Sequence, residues 1–125
     1  MKIGLRQKDG EKKPTRFYSK KQEAAVAKTI GGKVTPNSGA TLLIKGDVTT
    51  NDSTFLIECK TKTKSSKQIS IHKEWIEKNR SEALFMGKHH SAIAFSFGPN
   101  EENYYIINEE LFLILREVLK NESSK

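Results

Sequence analysis

"KGDVTTNDSTFLIECKTK", residues 45–62, sets Asp47, Glu58 and Lys60 into text that otherwise reads as core strand. The apolar, β-prone runs "ATLLI" and "TFLI" predict strands over 42–49 and 54–62, joined by a tight turn around "TNDS". A carboxylate in such a setting costs several kcal/mol unless something pairs with it. Strand parity puts Leu56, Glu58, Lys60 and Lys62 on one face and Phe55, Ile57 and Cys59 on the other. If the turn leaves an even number of residues unpaired, Asp47 lies opposite Leu56, with Glu58 as its diagonal neighbour on the face of Lys60. An odd turn would send Asp47 to the other side.

Upstream, residues 1–18 are charged and aperiodic and read as a basic arm. "SKKQEAAVAKTIGG" predicts a helix from Ser19, with Ser19 and Gln22 at capping-box spacing and Gly31-Gly32 as its stop. Its apolar stripe of Val26, Ala27 and Ile30 is headed by an acid, Glu23. A short strand follows at 33–35, and "PNSG" is a turn. Downstream, residues 68–85 predict a helix with Ile71, Trp75, Ile76 and Ala83 inward. Residues 91–97 predict a strand showing Ile93, Phe95 and Phe97 on one face. The chain then turns into a strand at 104–107, and Asn108 caps a last helix. This order predicts an α/β domain over 19–125, a mixed central β-sheet flanked by helices in the order αβββαβ, plus a C-terminal strand and helix.

The chain has 125 residues, 35% hydrophobic and 30% charged, which suits one globular domain. Its single cysteine, Cys59, excludes an intrachain disulfide. The N-terminus lacks a hydrophobic leader, and with the lone cysteine this predicts a cytoplasmic protein. Net charge is +7 and uneven: residues 1–80 hold 18 basic and 8 acidic side chains, residues 81–125 hold 4 and 7. The basic part is suited to a polyanion, with nucleic acid the foremost candidate and no membrane partner expected.

Two convergent carboxylates repel each other, and a hard divalent cation resolves that repulsion. Mg²⁺, or Mn²⁺ in its place, can activate water and neutralise charge on a phosphodiester. Lys60 on the same face can stabilise that developing charge. Lys62, Lys64 and Lys67 extend the basic face and suit phosphate contacts, as do Lys8, Lys12, Lys13 and Arg16 of the arm. The histidines His72, His89 and His90 have no partner at zinc spacing and read as surface residues.

"GDV", followed eleven residues after its Asp by "ECK" and preceded by a helix bearing a Glu, resembles the PD-(D/E)XK nuclease superfamily. The resemblance covers residues 19–97, with Gly46 where the family usually has Pro. Within it, "NSGA" before the Asp strand and "IECKTK" before a Trp-bearing helix are most similar to Holliday-junction resolvases of archaeal and phage type. The resemblance implies a restriction-endonuclease-like core and a Mg²⁺-dependent endodeoxyribonuclease. It implies Asp47 and Glu58 as metal ligands with the main-chain carbonyl of Cys59, Glu23 as a ligand through water, Lys60 as the catalytic lysine and Ser38 near the scissile phosphate. Two other readings stay open: a PD-(D/E)XK nuclease of restriction or repair type, and a non-catalytic DNA-binding protein.

A resolvase makes two symmetric cuts, so this reading expects a homodimer. The last helix offers a surface, since residues 111–115 are five consecutive apolar side chains followed by Val118 and Leu119. The alternative is a helix buried in a monomer core.

Overall fold

The computed structural model describes residues 15–36 and 47–123. Within them the elements are α1 (Thr15–Ile30), β1 (Gly32–Val34), β2 (Val48–Thr50), β3 (Phe55–Thr61), α2 (Lys73–Phe85), β4 (His90–Ser96), β5 (Tyr104–Ile106) and α3 (Glu109–Ser123). The five strands form one sheet in the order β1-β2-β3-β4-β5. All neighbours are antiparallel except β3 and β4, which run parallel because α2 crosses between them. The chain is thus α/β with a mixed sheet and three helices, in the element order that the sequence predicts.

The helix boundaries differ in detail. α1 opens at Thr15, four residues before Ser19, so Ser19 is an interior residue and not a cap. Gln22 is freed from any capping role and reaches across to the sheet. Gly31 ends α1 in the left-handed conformation, φ 67°, as the Gly-Gly stop implied. α2 starts at Lys73, leaving Ile71 outside it and exposed. At α3 the Asn108 side chain accepts a hydrogen bond from the Leu111 N–H at 2.9 Å, which is the expected cap.

α1 packs its Val26 and Ala27 on a sheet face made of Val48, Ile57, Cys59, Ala92 and Ala94. The register explains this set, because Ile57 pairs with Ala92 and Cys59 with Ala94, so small β4 residues leave room for the helix. α2 covers the other face, where Leu56 and Ile93 are fully buried. It is fastened by a polar side chain that patterning does not reveal. Asn79, itself buried, donates to the Ala92 carbonyl at 2.9 Å and to the Leu56 carbonyl at 3.4 Å, bridging the two parallel strands. Among the described residues no helix is long and apolar enough to cross a membrane.

Candidate active site

The loop between β2 and β3 is residues 51–54, an even number, so the parity is the expected even one as far as Val48 and Thr49. The register is shifted by two residues from the expected one: Val48 faces Ile57 and Thr49 faces Leu56, so Leu56 is not the partner of Asp47. Asp47 donates its N–H to the Ile57 carbonyl at 3.1 Å, although Ile57 already faces Val48. Two residues of one strand against one of the other is a bulge, and bulges re-aim side chains. Here the re-aimed carboxylate replaces the next rung of the ladder. Asp47 Oδ2 accepts from the Cys59 N–H at 2.8 Å, and on its other side the Asp47 carbonyl accepts from Thr35 N–H at 2.9 Å. The acid is therefore held by main chain on both flanks.

In an extended strand the N–H and C=O of one residue point to the same neighbour. The Cys59 carbonyl thus faces the side where the Asp47 carboxylate sits. Glu58 and Lys60, on the opposite pleat to Cys59, meet each other with Nζ 3.4 Å from Oε2, both partly buried. The ammonium of Lys60 also lies over the ring of Trp75 in α2, 4.4 Å from its centroid. His72 stacks on Trp75 in turn, the two ring centroids 4.6 Å apart. Gln22 ties α1 to the same strand end, donating to the Lys60 carbonyl at 2.9 Å and to Asn103 at 3.0 Å.

Asp47 is coupled by charge to each of two other acids. Burial, then the charge of Asp47, pushes the Glu58 carboxyl up to about 7, against the pull of Lys60 and Lys78. Burial and then Asp47 push Glu23 up to about 7 as well, against Arg16 and Lys20. Asp47 itself is raised by burial, opposed by its Cys59 hydrogen bond and by Lys60, Lys78 and Arg16. Asp47 is the member common to both pairs, reached by charge from α1 on one face and α2 on the other. Cys59 is raised by burial and by all three acids, which keeps it a thiol and not a nucleophile.

No family model, curated protein or solved structure matches this chain. The site therefore stands on its own geometry. Of the sequence candidates, Asp47 bonds the Cys59 peptide, Glu58 meets Lys60, and Glu23 and Glu58 each feel the charge of Asp47. Arg16 is exposed on the first turn of α1 and adds its charge to the same site. Lys62, Lys64 and Lys67 are exposed in the segment after β3. Ser38, Lys8, Lys12 and Lys13 lie outside the described residues.

Three participants escaped the sequence reading. Trp75 had been read as facing inward and Gln22 as part of a cap, and Lys78 had no role assigned. Lys78 follows Trp75 by three positions on one helix, a spacing that puts both on the face toward β3 once Trp75 is known to face it. That signal was present in the sequence.

Among the described residues no three His, Cys, Asp or Glu side chains are gathered as a ready cage for a metal. The donors near Asp47 nevertheless suit a hard divalent cation. They are two carboxylates whose protonated forms are favoured by mutual repulsion and burial, with a peptide carbonyl facing the same side.

Proposed function

We propose that this protein is a metal-dependent endonuclease that hydrolyses DNA phosphodiesters, with four-way junctions as its favoured substrate. The observation that carries the reading is the cluster in which burial and then the charge of partly buried Asp47 raise both Glu58 and Glu23, while Lys60 sits against Glu58. Acids that disfavour each other's charge, with a lysine alongside, form an expensive arrangement for a structural site. A cation of the Mg²⁺ type would be held by Asp47, Glu58 and the Cys59 carbonyl, with Glu23 joining through water, and would supply an activated water and charge neutralisation.

The chain's own residues supply the rest. Lys60, steered by Trp75, offers its ammonium to negative charge developing on the phosphate. Lys62, Lys64 and Lys67 bind the DNA backbone and fix register without reading bases. The basic chain draws DNA to this face, and a homodimer would present two such centres for paired cuts.

The test is incubation with a synthetic four-way junction and a matched linear duplex, with Mg²⁺, with Mn²⁺ or with EDTA. Metal-dependent cutting of the junction in preference to the duplex is expected. Equal cutting of both would remove the junction preference and leave a general nuclease. Binding without cutting under any metal would overturn the enzyme and leave a DNA-binding protein.

A further inference from the structure

The segment that joins β3 to α2, residues 62–72, forms neither helix nor strand and carries Lys62, Lys64 and Lys67, all exposed. It ends at His72, which the sequence reads as a surface histidine and the site leaves without a task. His72 stands at the N-cap of α2 with extended backbone, φ −94° and ψ 131°, where Ser, Thr, Asp or Asn would accept a hydrogen bond from a first-turn N–H. Its side chain makes no such bond among the described residues. The imidazole instead lies on the indole of Trp75, the centroids 4.6 Å apart and the planes 24° from parallel. That indole also carries the Lys60 ammonium, 4.4 Å from its centroid. Although it is stacked, His72 is exposed, whereas Trp75 is half-buried.

A flat ring exposed at the end of a lysine-bearing segment has the make-up of a single-strand nucleic-acid contact, in which bases stack on aromatic faces while cations hold the backbone. Inside a duplex a base shows only its edges, because its neighbours cover its faces. The ring can therefore take a base only where one has left the stack, and the cost of leaving is least for an unpaired base. Branch points, bulges and mismatches supply such bases. The two distances to Trp75, laid end to end, put the imidazole within about 9 Å of the Lys60 ammonium, the rise of roughly two to three nucleotides at 3.4 Å each. A base on His72 thus belongs to the same short stretch of strand as the phosphate that Lys60 would serve. Every base has a π face, so the contact selects an unpaired base without selecting its sequence.

We propose that His72, backed by Trp75, is a stacking platform for one unpaired DNA base next to the phosphate served by Lys60. The inference rests on the nuclease reading for that phosphate, and adds the feature by which the site tells branched or interrupted DNA from plain duplex. The test uses the full chain in EDTA, so that binding is read without cutting. Fluorescence anisotropy compares two short duplexes, one with a single unpaired thymine and one with an abasic residue at that position. They carry the same phosphates, so the ratio of their affinities reports the base alone. The wild-type chain is expected to bind the thymine duplex about tenfold more tightly, the scale of one base stacked on an aromatic side chain. His72→Ala should bring the ratio to within about twofold of one, and His72→Phe should keep it, since Phe has the π face and no ring nitrogen. Both variants should keep the circular dichroism of the fold, because His72 is exposed and its side chain caps nothing. A wild-type ratio near one would overturn the inference. So would a ratio that survives His72→Ala, or one lost equally in His72→Phe. A base-dependent ratio in a chain that cuts nothing with Mg²⁺ or Mn²⁺ would sink only the enzyme, and metal-dependent cutting with a ratio near one would sink only the platform.

Discussion

Lys60 sits between a carboxylate and an aromatic ring, and both contacts bear on what it can do. Cation–π attraction of about 0.5–2 kcal/mol corresponds to a factor of roughly 2 to 30 in rate if it is lost in the transition state. Trp75→Leu should therefore lower kcat about tenfold with little change in KM for DNA, and Trp75→Phe should retain most of the rate. A change confined to KM would instead make Trp75 a DNA contact. Asp47→Asn or Glu58→Gln should abolish cleavage while DNA binding, followed by gel shift, stays equal or tightens because a negative charge has gone. Activity surviving in both would place the chemistry elsewhere. The same acids set a pH dependence. A carboxyl held near 7 in the fold and near 4.5 when unfolded contributes stability below pH 4.5 that is lost as pH rises through 7, since the native state binds the extra proton. The metal-free protein should thus melt at lower temperature at pH 8 than at pH 5. Mg²⁺ at pH 8 should restore part of the loss, and Glu58→Gln should flatten the profile. A melting temperature that rises from pH 5 to 8 would contradict the cluster.

At the level of the elements, much of the fold was legible because periodicity dominates wherever a segment buries one face. The order of eight elements, the Gly31 stop and the Asn108 cap could all be read from local patterns. What could not be read depended on contacts distant in sequence. The α1 start at Thr15 contradicts a good capping pattern at Ser19, so local chemistry alone mis-set that boundary. The β2–β3 register differs by two residues from expectation because the turn is 51–54 and not the "TNDS" of 50–53, a one-residue choice among similar polar side chains that composition does not decide. Asn79 is another case: a polar residue on a helix reads as solvent-facing, yet it is buried and spans two strands. Asn79→Ala would leave the Ala92 and Leu56 carbonyls without this donor and open a small void. It should cost about 1–3 kcal/mol in urea unfolding with little change in the m-value. A loss under about 0.5 kcal/mol would mean that water or a neighbour replaces the amide readily.

The whole molecule divides by charge, and the division agrees with the fold. Residues 1–80, at 18 basic and 8 acidic side chains, build α1, β1, β2, β3 and most of α2, which together surround Asp47, Glu58 and Lys60. Residues 81–125, at 4 and 7, build β4, β5 and α3. Net positive charge therefore belongs to the part of the chain that carries the site, and the exposed apolar helix belongs to the acidic part. This separation has a measurable consequence. Each phosphate neutralised by Lys or Arg releases counterions, and log K falls with log salt at about −0.9 per contact on duplex DNA. Arg16, Lys62, Lys64 and Lys67 alone would give a slope near −3.6 per protomer. Substituting Lys62, Lys64 and Lys67 together by Ala should reduce the slope by about 2.7 and weaken binding to junction and duplex alike, since phosphate contacts carry no sequence. Substituting Lys120 and Arg116 on α3 should leave the slope unchanged, because that helix follows the edge strand β5, two strands from β3. Deleting residues 2–14 removes Lys2, Arg6, Lys8, Lys12 and Lys13 while sparing α1, and should lower the slope further without affecting the rate on saturating DNA. Fluorescence anisotropy from 50 to 300 mM KCl reads all of these. Equal slopes for the triple-lysine and the α3 variants would show that charge is not partitioned over the surface as the fold arranges it.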